Sequence, residues 1–107
     1  MTDSVTSKNG LSIRLTAERW AHIADEHGEL AGSKEEVLRA LKDPKRIVEG
    51  GGGELLAIRE VEVGKYLVVV YREGVEDGFV ITAFLTRRTR SLERRKQLWP
   101  SQTSKSI

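Results

Sequence analysis

The stretch from Lys65 to Leu85 limits what this chain can fold into more than any other. Tyr66-Leu-Val-Val-Val-Tyr71 and Phe79-Val-Ile-Thr-Ala-Phe-Leu85 are apolar, β-branched and aromatic runs, and the residues between them carry an Asp77-Gly78 reversal signal. That is the pattern of a β-hairpin. A run that is apolar at nearly every position cannot leave a face fully wet, so both strands belong in the middle of a sheet with helices over one side.

The helices that supply this cover are legible upstream. Thr16 offers an N-cap hydroxyl and Glu18 a carboxylate for the first turn, which predicts a helix to about His27, ending at Gly28. Trp20, Ile23, Ala24 and His27 fall on one stripe of it; His22 lies off that stripe, beside Glu18 and Glu26. Ser33-Lys-Glu-Glu36 has the spacing of a capping box, and Pro44 stops the helix that follows. Val37, Leu38 and Leu41 are its buried side.

Arg46 to Glu49 reads as a strand and Gly50 to Gly53 as a flexible hairpin tip, since no Walker-type lysine and helix follow. Glu54 to Val63 is a long strand, and Gly64-Lys65 suits a two-residue type II′ turn. That turn sets Val61 opposite Val68 and Arg59 opposite Val70. With Tyr71 opposite Val80, the helix-covered face collects Val61, Val63, Val68, Val70, Phe79, Ile81, Ala83 and Leu85. The open face then collects Ile58, Glu60, Glu62, Leu67, Val69, Tyr71, Val80, Thr82 and Phe84. Arg59 interrupts the apolar pattern, so it snorkels at the sheet margin or is re-aimed by a bulge. The expected fold is α+β: two N-terminal helices on one face of a four-stranded antiparallel sheet, followed by a basic C-terminal helix that opens near Thr89 or Ser91 and runs to Trp99. Residues 1–10 read as a flexible lead-in, 11–99 as a single domain and 100–107 as a flexible tail.

At 107 residues there is one core to fill. The absence of cysteine excludes a disulfide framework and thiolate metal sites. The two histidines, spaced i and i+5, project about 140° apart on a helix, so no metal or cofactor is expected. No segment approaches the roughly 20 apolar residues of a membrane span, and a cytoplasmic protein without a membrane partner is expected. Charge is uneven. The net +2 conceals a basic end in which Arg87, Arg88, Arg90, Arg94, Arg95, Lys96 and Lys105 face only Glu93. Such a segment suits a polyanion or an acidic partner, or is simply a solvated helix.

The residues with chemical potential are few: His22, Arg59, Tyr71, Thr82 and the basic cluster after Arg87. Each also has an ordinary structural role open to it: His22 as an exposed helix residue, Tyr71 packing at the sheet rim, Thr82 as a strand former. His27, on the apolar stripe, reads as a half-buried, satisfied histidine.

Trp20-Ala-His-Ile23, Asp43-Pro44, Leu67-Val-Val-Val-Tyr71 and Ile81-Thr-Ala-Phe84, in the order helix, helix, sheet, resemble the barnase–EndoU–colicin–RelE-like nuclease superfamily. The small phage- and toxin-associated members are the most similar, and the resemblance covers residues 13–99. It implies a metal-independent ribonuclease, or the toxin of a toxin–antitoxin pair with a small acidic antitoxin-like partner. By position, His22 matches the helix histidine, Thr82 the last-strand hydroxyl, and Arg59 or Lys65 a central-hairpin cation. Cleavage of RNA without metal needs a base, an acid and cations to hold the extra phosphate charge. His22 and Tyr71 are expected to exchange protons, Arg59 and Arg87 to stabilise the phosphate, Thr82 to orient it, and Arg88, Arg90, Arg94, Arg95 and Lys96 to grip RNA. A non-catalytic protein-interaction module on the same fold is the alternative. A duplex-DNA-binding module is weaker, because no helix-turn-helix spacing is visible.

Overall fold

The computed structural model describes residues 2–101; the expected tail, 100–107, lies almost wholly outside them. Seven strands form one sheet: β1 Thr2–Thr6, β2 Ser12–Thr16, β3 Arg46–Glu49, β4 Leu55–Glu62, β5 Lys65–Glu73, β6 Asp77–Thr86 and β7 Gln97–Trp99. Their order across the sheet is β1-β2-β6-β5-β4-β3-β7. All neighbours are antiparallel except β2 and β6. Helices α1 Ala17–Glu26 and α2 Lys34–Lys42 lie on one face, joined through a 3₁₀ turn at Gly28–Leu30, and α3 is a single turn, Arg90–Glu93. This corrects the expected four-stranded sheet with a C-terminal basic helix. Three more strands are present, and the segment expected as that helix is one helical turn followed by a turn at Arg94-Arg95 and the short strand β7.

Each addition has a local cause. The polar lead-in is an edge strand: Val5 packs on the core, the Asp3 carboxylate meets Lys34 Nζ at 2.8 Å, and polar side chains suit an edge that must not recruit other strands. The turn after it is pinned where Ser7 Oγ and Asn9 Nδ2 donate to the two carboxylate oxygens of Glu73, at 2.5 and 2.8 Å. At the other edge, Gln97 and Trp99 pair with β3, so the chain after α3 gains a ladder that a longer exposed helix would forgo.

The helix termini are partly as read. Thr16 Oγ1 accepts from Arg19 N–H at 3.0 Å, capping α1. The capping box of α2 does not form; Ser33 makes no side-chain cap bond. The glycine tip before β4 is held: Gly52 N–H donates to Glu54 Oε1 at 2.8 Å, and Arg72 Nη2 donates to the Gly52 carbonyl at 3.1 Å.

The central hairpin departs from the expected register. Tyr71 does pair with Val80, but Ile58 pairs with Val68 and Arg59 with Leu67. The turn sits at Val63-Gly64, where Gly64 takes a φ of +77°, and Val61 is extra, between the Glu60–Tyr66 and Glu62–Lys65 pairs. An odd displacement of register exchanges the faces. Leu67, Val69 and Tyr71 therefore lie under the helices with Ala57, Val80, Ala83 and Leu85, packed on Ile23, Leu30, Val37 and Leu41. Val68 and Val70 turn to the second face with Leu56, Ile58 and Phe84, where Leu92 of α3 covers part of them. Val63, expected in the core, is 93% exposed.

Among the described residues Tyr71 is the largest fully buried side chain, and its hydroxyl has no hydrogen-bond partner there. Burial, with the Glu73 carboxylate adding to it, pushes the phenol well above its usual range. Tyr71→Phe removes an unsatisfied polar atom without changing shape, so we expect thermal unfolding to show stability raised by about 1 kcal/mol. The native phenol stays neutral while the unfolded one ionises above about pH 10. Stability of the parent protein should therefore fall more steeply than that of Tyr71→Phe as pH rises past that point.

Candidate nucleic-acid interface

The second face is covered unequally. Leu92 closes the half over Val48, Leu56, Ile58 and Val68, whereas the half built on β6 and β2 carries no helix among the described residues. Because directly opposed residues share a face, register places Tyr66 beside Thr86, Phe84 beside Val68, Thr82 beside Val70, and Phe79 between Arg72 and Arg14. The result is a sheet face with three aromatic rings, a central hydroxyl and two guanidinium groups. A bulge at Ile81, between the Val70–Thr82 and Tyr71–Val80 pairs, lets Phe79 and Thr82 share this face although they are three residues apart.

The chain leaves β6 directly into the basic segment. Arg87 Nη2 lies 3.6 Å from Glu62, and Arg95 Nη1 donates to the Glu49 carbonyl at 3.2 Å. Arg88, Arg90, Arg94 and Lys96 are exposed and have no carboxylate within ion-pair distance among the described residues. Leu92 seats this segment on the covered half and its end lies beside Glu49 of β3, so its start at Arg87 and Arg88 is the part that adjoins the open half. Besides Glu62, the Glu60 carboxylate lies at the same end of the sheet, opposite Tyr66; it accepts from Gly64 N–H at 3.1 Å, and that bond holds its pKa below the usual range.

The four residues expected to act together are in four different surroundings. His22 projects from the outer side of α1, its Nε2 3.4 Å from Glu26, over a shallow recess with Thr16, Glu18 and Arg19. Tyr71 is in the core rather than on the open face, so its hydroxyl meets no ligand. Arg59 lies at the margin of the helix-covered face, where Nη1 donates to the Asp43 carbonyl at the end of α2 at 2.6 Å; it shares a groove of about 340 Å³ with Lys65, Leu30, Leu67 and Leu85. Only Thr82 is on the open half. Among the described residues, no group of three His, Asp or Glu side chains could hold a metal ion, and no helix is long and apolar enough to cross a membrane.

Comparison with protein families, curated proteins and solved structures finds no match. What the geometry adds to the sequence reading is His27. Beyond Phe79 no strand among the described residues flanks β6 on its outer side, and the end of α1 comes up against that edge. The His27 ring lies 6.4 Å from that of Phe84, tilted by 39°, with Nδ1 3.8 Å from the Glu29 carboxylate. Its side chain is 32% exposed. It is the histidine in contact with the open face. Its signal in the sequence was its place next to Gly28, where the buried stripe leaves the core.

Proposed function

We propose that the protein is a metal-independent RNA-cleaving nuclease, of the kind that serves as the toxin of a toxin–antitoxin pair, and that RNA lies along the open half of the second sheet face. The observation that supports this most is that β6 of that half runs directly into a segment in which four cations have no carboxylate within ion-pair distance among the described residues. Aromatic rings accept unstacked bases, and lysine and arginine side chains hold phosphates without reading sequence. In this reading His27, with the Glu29 carboxylate near its Nδ1, moves the proton at the 2′-hydroxyl or the leaving oxygen, Thr82 orients the scissile phosphate, and Arg88 holds the strand beyond the end of β6. A small acidic antitoxin-like protein would cover the same cations.

Incubating RNA with the purified protein in EDTA tests the proposal. Cleavage should persist, His27→Ala should slow it by about 10² to 10⁴, and His22→Ala should leave it nearly intact. No cleavage, or equal cleavage by His27→Ala, would refute it. The dispersal of His22, Arg59, Tyr71 and Thr82 favours a second reading, a non-catalytic interaction module on the same face. Copurification with a small acidic protein, and no cleavage after that protein is stripped away, would support the second reading.

A further inference from the structure

Five large apolar side chains are notably exposed among the described residues: Val61, Val63, Val75, Phe79 and Leu98. Phe79 is the aromatic one, 45% exposed. It does not sit on a hairpin tip, where apolar groups are often stranded, but within β6. Across β5 its partner is Arg72, and across β2 it is Arg14. Val80, Tyr71, Ile13 and Leu15 all turn inward, so Phe79, Arg72 and Arg14 all turn outward onto the second face. Adjacent strands are about 4.8 Å apart, so an arginine stands on the strand to either side of the one that carries this exposed ring.

Both cations are held rather than loose. Arg72 Nη2 donates to the Gly52 carbonyl at 3.1 Å and lies 3.8 Å from Glu54 Oε1; Arg14 Nη1 lies 3.6 Å from Asp77 Oδ2. These exposed pairs contribute little to folding, and a phosphate can compete for the outward N–H groups of each fork. An exposed ring with an arginine on each neighbouring strand matches one unstacked base with a phosphate on each side of it.

From this row, and resting on the RNA-binding reading above, we infer that Arg14, Phe79 and Arg72 form a single-nucleotide subsite in which one base stacks on Phe79 and its two flanking phosphates meet the arginines. The row lies at the opposite end of β6 from the basic segment, about 20 Å away along the strand. Because Arg14 and Arg72 stand on the strands to either side of β6, the bound strand crosses β6 at this row, and its unpaired state is a requirement of the site. A duplex offers no free base face there.

The test uses a short 2′-O-methyl RNA strand, which cannot be cleaved through its 2′ oxygen, and an abasic strand with the same phosphates, titrated by fluorescence anisotropy. Phe79→Ala should weaken binding of the base-bearing strand roughly tenfold or more and leave the abasic strand's affinity within about twofold. Phe79→Trp, which keeps a stacking surface, should bind at least as tightly as the parent. Arg14→Ala and Arg72→Ala should each lower the salt slope by about 0.7 for both strands. Parent protein that binds the RNA while Phe79→Ala binds it equally well would overturn the subsite alone. Equal losses on base-bearing and abasic strands would do the same, because they point to a general disturbance of the face. If the parent binds neither strand, the RNA reading fails and the subsite fails with it.

Discussion

Leu67→Ala will lower stability by about 3 kcal/mol, while Val63→Ala will change it by less than about 0.5 kcal/mol. Both positions lie in the central hairpin, and the contrast follows from register. Leu67 is completely buried under the helices, packed with Leu30, Leu41 and Leu85, so truncation loses both the transfer energy of the removed atoms and the contacts of the cavity left behind. Val63 is in the turn and almost fully exposed. Urea unfolding of the two variants measures this directly. The opposite ranking would mean that the turn lies at Gly64-Lys65 and that the two faces are exchanged.

Replacing Arg88, Arg90, Arg94 and Lys96 together with alanine will reduce single-strand RNA affinity by roughly 10² to 10³ at 0.1 M salt, because each phosphate contact contributes about 0.7 to the slope of log affinity against log salt. The parent slope should therefore be steeper by about 3 than that of the variant. These four are the appropriate set because no carboxylate competes for them among the described residues. Arg87, by contrast, is paired with Glu62, and Arg87→Ala should shift the slope by less. Folding should survive the fourfold change, since Leu92 anchors the segment. Binding measured over a salt series decides the matter: a slope unaltered by the fourfold change would leave the basic segment as mere solvated surface.

Locally encoded features were legible in the sequence, and features that depend on two distant segments were not. The Thr16 cap, the stripe of α1 and the stop before Pro44 depend on neighbours in the chain, and the structure has them. Arg59, one charge interrupting an apolar strand, was legible as an exception, with the sheet margin as one of two places open to it. Register was another matter. Residues 66–71 are apolar on both sides, and Leu67, Val68 and Val69 are all fully buried, so the period of two that normally identifies a face is absent. The bulge at Val61 and the turn at Val63-Gly64 then exchanged the faces, and Tyr71 went with them into the core.

The edge strands were hidden for a different reason. Thr2–Thr6 has one apolar residue and Gln97–Trp99 follows a run of arginines, so neither has a strand's composition; their extended form comes from the neighbours they pair with. The candidate site was correspondingly half visible. Thr82 and the basic segment were named from sequence, but the row Arg14, Phe79, Arg72 is made by β2 joining β6 in parallel, and no short-range pattern encodes that pairing.

An NMR titration with uncleavable single-stranded RNA, following aromatic and methyl signals, tests the central claim most directly. Shifts concentrated at Tyr66, Phe79, Thr82 and Phe84, with Leu67, Val69 and His22 unmoved, are the predicted result. Shifts confined to the exposed surface of α1 and α2 would place the ligand on the other side of the sheet and contradict the account.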